Sequence, residues 1–455
     1  MFKSNKKERY VVMCEDTECD WKVRARRTPQ GWWKISSYDG PHTCGDKVLA
    51  NKAPSEKVVR RTHRQLTSTF IAHRCADAIK ATPTLSAASL MKFIHLIFDY
   101  RVTYGKAWRA KQMAMKMAYG DWEEAYGRLP KMLAAMAHRN PGMTNVVQPH
   151  PTYTRTVGGV KYPVFGRAFW CFRPCVEAFK HCRPFLSVDG TFLTGKFKGT
   201  LLVAISCDAD NRLVPLAFAL VTGENTNNWS WFMHLLRTKV VGRDRVVCLI
   251  SDRHHGIQNA VKDEIPGHPL LKHRWCMRHF AANFYRACRN REMAEYLRRL
   301  AMVFEADVFD QMYGELYGLT NAKGKAFLTE HLPQKMLWSQ AFDEDGVRHG
   351  HMTSNMAEVF NKVLKGIRAL PVSAIAAFTF DKCNEYWVTR MDEIEVLWND
   401  GKKWPKTVEE ELEYQEKKSE TRKRRTTRCG SMRFVNKEVP TLGVSNTVAA
   451  NMLLS

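Results

Sequence analysis

The sequence is short of acid. Its 455 residues carry 46 Asp and Glu against 70 Lys and Arg, a net charge of +24 at pH 7. That deficit points to a polyanionic partner, either nucleic acid or an anionic membrane surface. A basic enzyme without such a partner has the same balance. Long apolar runs are missing too. A membrane span needs roughly 20 consecutive apolar residues. The best runs, Leu201–Cys207 and Leu213–Val221, fall far short, Pro215 interrupts the second, and each reads as a buried strand. No membrane partner is therefore expected. Met1–Arg9 is basic but no apolar segment follows it, so no secretory signal is visible. Internal repeats are absent. The 13 cysteines are odd in number and scattered. That excludes a disulfide scaffold and fits a reducing, intracellular compartment where clustered cysteines bind metal. Disorder is excluded for most of the chain, with 45% apolar and 25% charged residues. At about 150 residues per domain the length allows two to four domains.

Five stretches are distinguishable. Residues 9–45 are rich in Trp and Cys and alternate polar with apolar positions, which predicts three or four short strands. Residues 46–57 read as a polar linker. Residues 58–145 read as a basic helical domain, closed by Pro141-Gly142. From 165 to about 290 strands alternate with helices. Phe185–Val188, Gly199–Asp208, Leu213–Thr222 and Val246–Ser251 read as strands, and Trp229–Val240 as an amphipathic helix. Helices dominate up to 400, with an insertion at about 290–350, and 401–455 read as a basic, disordered tail.

Cys14, Cys19, His42 and Cys44 follow the pattern C-x4-C-x22-H-x-C. Four soft or borderline donors in two close pairs suit a closed tetrahedral Zn2+ site, which is structural rather than catalytic. Such a site also explains how about 40 residues stay folded on so small a core.

Asp189 follows the apolar run Phe185–Val188, and Asp252 follows Val246–Ser251. Carboxylates at strand ends can converge on a pair of Mg2+ or Mn2+ ions, as polynucleotidyl transfer requires. Glu358 is the third candidate. It sits in Ser354-Asn355-Met356-Ala357-Glu358, on a segment whose apolar positions have helical spacing. A lone acid on a helix and two acids after strands also occur without function. Cys276 and His279 form a C-x2-H pair with half the donors of a zinc site. Asp208 and Asp210 read as turn residues, Glu224 as a helix start, and His254 and His255 as surface or capping residues. Cys171, Cys175 and Cys182 read as core thiols of an aromatic helix containing Phe169, Trp170 and Phe172.

These motifs together resemble the plant Mutator-like transposase family. Tyr10–Cys14, Cys19–Arg27 and Gly40–Cys44 look like its WRKY-like amino-terminal zinc finger. Phe185–Leu193, Pro215–Val221, Asn228–Phe232, Ile250–Ile257, Ser354–Glu358 and Lys365–Pro371 look like its core, in the same order. The resemblance implies an α/β multidomain fold: a small zinc-binding β domain at 9–45, a helical DNA-binding domain at 58–145, and an RNase H-like mixed-sheet core at 165–400. It implies that Asp189, Asp252 and Glu358 form a DDE triad. The 106 positions from Asp252 to Glu358 match the family's helical insertion. In the WRKY-type fold a strand enters the major groove, which marks Lys22, Arg24, Arg26, Arg27 and Lys34 for DNA contact. Arg60, Arg61 and Arg64 are candidates for phosphate contact. The C-x2-H pair recurs in the family beside the active site.

The implied function is binding of terminal inverted repeats in double-stranded DNA, followed by metal-dependent cleavage and strand transfer, in the nucleus and as a homo-oligomer. The basic run Lys417-Lys418 with Arg422–Arg425 fits nuclear import or phosphate contact. One departure stands out. Many relatives end in a SWIM-type zinc finger, whereas after residue 400 there is only Cys429 and no His. The tail is thus expected to be truncated or foreign. The alternative is a domesticated regulator that binds DNA without cutting it, as far-red-response regulators related to these transposases do.

Overall fold

The computed structural model describes residues 2–6, 8–14, 19–41, 66–98, 100–410, 412–414, 416, 417 and 419. They form two compact units, Met1–Ala118 and Tyr119–Ser455. This boundary divides the helical stretch that the sequence suggests at 58–145. His42, Cys44, Arg60, Arg61, Arg64, Arg422–Arg425 and Cys429 lie outside the described residues. Among the described residues no helix is long and apolar enough to cross a membrane.

The first unit holds an antiparallel sheet, β1 (Phe2–Lys6), β2 (Arg9–Met13), β3 (Lys22–Arg27) and β4 (Trp33–Asp39), in sequence order. It begins before position 9, where the sequence pattern places its start. Helices α1 (Ser68–Ala81), α2 (Ala87–Phe98) and α3 (Tyr104–Tyr119) follow. Thr67 caps α1, its hydroxyl accepting from the Phe70 amide at 3.1 Å. Ile71, Ala72, Cys75 and Ile79 make the buried stripe of that helix, three and four residues apart.

The second unit opens with helix α4 (Trp122–Arg139) and is built on a seven-stranded mixed sheet. Its strands are β5 (Thr144–Val157), β6 (Val160–Cys171), β7 (Phe185–Phe192), β8 (Thr200–Cys207), β9 (Leu213–Val221), β10 (Cys248–Ser251) and β11 (Lys272–Trp275), in the order β11-β10-β7-β8-β9-β6-β5. β7 pairs in parallel with β10, and β10 with β11; the remaining pairs are antiparallel. Every residue of β8 is buried, because helices cover both faces. On one face Leu186, Val188, Leu202, Ala204 and Ala217 join Trp229 and Phe232 of α6 (Thr226–Leu235) and Ile257 of α7 (His255–Ala260). On the other, Phe218 meets Phe360 of α12 (Asn355–Val363), and the Trp170 indole donates to Thr379 of α13 (Val372–Asn399) at 2.9 Å. Pro215 is tolerated inside β9 because the register slips there, between Ala204 and Ile205 of β8.

Three expectations change. Phe169, Trp170 and Cys171 belong to β6, not to a helix, and Cys175 lies in a separate short helix, α5 (Arg173–Phe179). Phe169 and Cys171 join one core face while Trp170 points to the other, so the run is apolar throughout and loses strand alternation. The helix expected at Trp229–Val240 starts at Thr226 and becomes a π-helical turn over Leu236–Val241. A long ribbon, β5–β6, has no counterpart in the sequence pattern. Its outer part, 151–164, is exposed on both faces.

After β11 come α8 (Met277–Cys288), α9 (Arg291–Ala301), α10 (Ala306–Leu319) and α11 (Ala322–His331), which share their own core around Phe280, Phe284, Leu297, Phe309 and Trp338. The chain then returns to the sheet through a buried ionic cluster. Asp343 accepts from Arg274 of β11 at 2.8 Å and lies 3.7 Å from the Arg348 guanidinium, and all three side chains are at most 4% exposed. Removing one partner of such a cluster leaves a buried charge uncompensated. Asp343→Ala is therefore expected to cost about 3–5 kcal/mol, read from urea unfolding. A loss below about 1 kcal/mol would mean that the two arginines find water instead.

Candidate functional site

Asp189 and Asp252 are brought together by strand register. β7 and β10 run in parallel with Leu186 opposite Leu249 and Ser187 opposite Ile250. β10 stops at Ser251. Two further steps along each strand reach Asp189 and Asp252, on the same face because side chains alternate with period two. The structure corrects one detail: Asp189 does not end its strand. β7 continues through Gly190 and Thr191 to Phe192, with Asp189 opposite Val203 of β8. β10 has run out at this point, which leaves the site open on one side.

Gly190 lets Glu224 approach closely here. A β-carbon on it would sit 2.6 Å from a carboxylate oxygen of Glu224, which would have to swing away. Glu224 therefore lies over the strand beside Asp189, and burial first, then the Asp252 charge, raises its pKa above the ordinary value. The sequence pattern assigns Glu224 to a helix start. That role belongs to Asn225, whose side chain accepts from the Asn228 amide at 2.9 Å. A signal for Glu224 is present in the sequence, since it too follows an apolar strand.

Glu358 arrives from the first turn of α12, and its side chain is 14% exposed. Asn361, one turn later on the same face, donates to Asp189 Oδ2 at 2.8 Å. α12 is held in place at its far end. The Thr194 amide donates to the Arg368 carbonyl at 2.8 Å, and the Arg368 guanidinium to Thr191 at 2.9 Å. Arg278 of α8 pairs with Glu358 Oε2, and His279 Nε2 lies 3.5 Å from Oε1.

The electrostatics follow from crowding. Burial first, then the Asp252 charge, pushes Asp189 from its ordinary 3.8 up to about 6. The adjacent Cys276 sulfur, with Glu358 and Asp252, holds His279 up to about 9 against burial. Burial raises the Cys276 thiol, but His279 and Ser354 outweigh it and leave the thiol below its ordinary range. Cys276, His279 and Glu358 offer donor atoms that all lie within 4.8 Å of one another.

The other candidates are distributed as follows. His254 caps α7 with Nδ1, accepting from Gly256 at 3.2 Å, while its own amide donates to Asp252 Oδ1 at 3.0 Å. Asp208 accepts from the amides of Asp210 and Arg212 at 3.0 and 2.9 Å, as a turn residue does. In the first unit Lys22, Arg24 and Arg26 alternate onto one face of β3. Arg26 stands opposite both Arg9 and Lys34, so three cations form one row across three strands. Like charges directly opposite are destabilising. Arg27 faces the other way and donates to the Gly31 carbonyl at 3.3 Å, bracing the β3–β4 turn. Cys14 and Cys19 sit at one end of the β2–β3 pair, where the Cys14 amide extends the ladder to Trp21 O at 2.9 Å.

Asp189 makes stability depend on pH. Its folded pKa lies above its unfolded value, so the folded state binds the extra proton and stability falls as pH rises from about 4 to 6. The full cost at neutral pH is about 3 kcal/mol. Asp189→Asn removes it. The variant is expected to be more stable than the parent by up to about 3 kcal/mol above pH 6, and indistinguishable below pH 4, in urea melts across pH. A gain that does not change with pH would rule out the charge as its cause.

Comparison with curated proteins finds no match for the chain. A family match covers the stretch from the start of β7 into α8, which contains Asp189, Glu224, Asp252, Cys276 and His279 and stops before Glu358. That stretch, residues 185–283, matches the MULE transposase domain, which supports a Mutator-like, transposase-type function.

Proposed function

We propose that the chain is a Mutator-like DNA transposase whose Asp189, Asp252 and Glu358 form a DDE site on an RNase H-like core. The observation that carries this reading is the parallel register that sets Asp252 beside Asp189, inside the stretch matching the MULE transposase domain. The strand order of β7–β11, with three antiparallel strands followed by two parallel ones, supports the core assignment.

The donor set fits hard divalent cations. Asp189 is raised by burial and then by its neighbour's charge, and Glu358 Oε1 is buried without a hydrogen bond among the described residues. Both features are relieved by positive charge. Asp189, Asp252 and Glu358 would hold two Mg2+ or Mn2+ ions, which supply an activated water or 3′-hydroxyl and a stabilised leaving oxygen. The protein's own groups do the rest. Asn361 orients Asp189, His254 fixes Asp252 through its amide, and Arg278, with a side chain 53% exposed, balances Glu358 until a cation takes its place.

DNA binding rests on charge. The Arg9–Arg26–Lys34 row is electrostatically costly by itself and is satisfied by a phosphate backbone. The β5–β6 ribbon lies within a stretch, residues 125–176, that has no Asp or Glu. Its exposed arm carries Arg155 and Lys161 with Tyr153 and Tyr162, and a two-stranded ribbon fits the major groove. Cys14 and Cys19, with His42 and Cys44, would hold a structural Zn2+ that keeps the β domain folded. Nuclear location and a homo-oligomeric active form complete the reading.

Two experiments test it. The purified chain with Mg2+ and a labelled duplex carrying the inverted repeats is expected to cut at the element ends. Asp189→Asn and Asp252→Asn are expected to abolish cutting and still bind. Cutting at the parental rate would refute the site. Binding without cutting by the parent would favour the DNA-binding regulator. Separately, Arg155→Ala with Lys161→Ala is expected to reduce the slope of log affinity against log salt by about 1 for each phosphate that the variant no longer neutralises, whatever the sequence. An unchanged slope would remove the ribbon from the DNA surface.

A further inference from the structure

Cys276 is the N-cap residue of α8, and His279 lies in the first turn of that helix. Glu358 approaches from the first turn of α12. The sulfur, a ring nitrogen and a carboxylate oxygen all lie within 4.8 Å of one another. The sulfur is fixed: Cys276 is fully buried, and the Ser354 amide donates to it at 3.2 Å. The other two residues keep spare donor capacity. His279 Nδ1 and Glu358 Oε1 are buried and make no hydrogen bond among the described residues, and the nearest partner of Oε1 is His279 Nε2 at 3.5 Å, beyond a good hydrogen bond. Buried polar atoms without a hydrogen bond are costly, and beside a sulfur they leave room for a ligand.

The chemistry of the donors selects that ligand. Mg2+ asks for six oxygens in octahedral array, and a sulfur and an imidazole serve it poorly. Zn2+ takes S, N and O donors tetrahedrally, and sites with three protein ligands leave one position open. At Zn–S and Zn–N lengths of about 2.3 and 2.0 Å, donors sit about 3.3–3.8 Å apart. The cluster needs to close by about 1 Å. The half-exposed His279 and the Glu358 carboxylate can supply that closure by rotamer adjustment, while Cys276 stays in place.

We propose that Cys276, His279 and Glu358 form a site for a thiophilic divalent cation, Zn2+ or Cd2+, with one coordination position open. The site shares Glu358 with the Asp189–Asp252 pair. A thiophilic ion bound there withdraws Glu358 from the hard-metal site, so Zn2+ opposes Mg2+-dependent cutting. Ion binding stands on this geometry alone, whereas its effect on cutting rests on the transposase reading.

The test uses the full chain, stripped of metal and titrated with Cd2+, following the thiolate-to-metal absorption band. Cys14, Cys19 and Cys44 give a band of their own, so the quantity read is the difference from Cys276→Ala. One equivalent fewer and a weaker band are expected in that variant. His279→Gln alters a half-exposed residue, and circular dichroism checks its fold. It is expected to weaken the same equivalent at least tenfold, and Glu358→Gln likewise. An unchanged number of equivalents in Cys276→Ala and His279→Gln overturns the proposal. The two readings fail separately. Loss of the equivalent in Cys276→Ala with normal cutting by Asp189→Asn keeps the ion site and removes the nuclease. Dependence of cutting on Asp189 with unchanged Cd2+ binding does the reverse. Where both hold, adding Zn2+ at fixed Mg2+ slows the parent but not His279→Gln.

Discussion

The parallel pairing of β7 with β10 is the constraint on which the second unit turns. With Ser187 opposite Ile250, two carboxylates must stand side by side at the spacing of neighbouring strands, about 4.8 Å. The register cannot slip to avoid this. A one-residue shift would turn Leu186 and Val188 out of a core they share with Trp229 and Phe232. The hydrophobic pattern thus enforces an electrostatic problem, and the polar groups nearby are its partial answers. Asn361 donates to one acid and the His254 amide to the other. His279 and Arg278 bring positive charge from a third element. They do not finish the task, since Asp189 remains raised to about 6.

The third acid reaches the site by a different device. Between Asp252 and Glu358 the chain leaves the sheet, builds a separate helical core and has to come back to one place. Apolar contacts alone tolerate sliding; the buried Arg274–Asp343–Arg348 cluster does not, because each misplacement strands a charge. From that anchor the backbone is tied down stepwise. The Met277 amide donates to Met352 O at 2.8 Å, and the Ser354 amide to the Cys276 sulfur at 3.2 Å. Glu358 follows one helical turn later.

The sequence makes some of this legible and hides the rest for definable reasons. β8 and β9 are almost wholly apolar because they are covered on both faces, and such runs are easily read as strands. Asp189 and Asp252 are visible as acids after apolar runs, although Gly190-Thr191 looks like a turn. Glu224 lies against Gly190, a contact between distant positions that no local pattern reports. The β5–β6 ribbon is hidden twice over. Its arm has no buried face, so nothing alternates, and at its base Ala168–Cys171 of β6 is buried on both faces, so nothing alternates there either. Glu358 carries no signal of its own as a lone acid on a helix. Only the resemblance to Mutator-like transposases singles it out, and the family match at 185–283 does not extend to it.

Charge of both signs then acquires a division of labour. The chain is basic by +24, yet Asp189, Asp252 and Glu224 crowd one another, partly buried, at the sheet. On the proposed reading, cations on β3 and on the ribbon attract a phosphate backbone from any sequence and lose that grip as salt rises. A phosphate brought up to Asp189 and Asp252 meets like charge at short range, where a partly buried site screens poorly. On the proposed reading, attraction and rejection thus sit on different parts of the same protein. Duplex DNA can be held without being cut, and only a cation that reverses the local sign lets the phosphate approach. An acid cluster left raised and only partly balanced is therefore what such a mechanism requires, since one fully neutralised by protein groups would have no use for a metal.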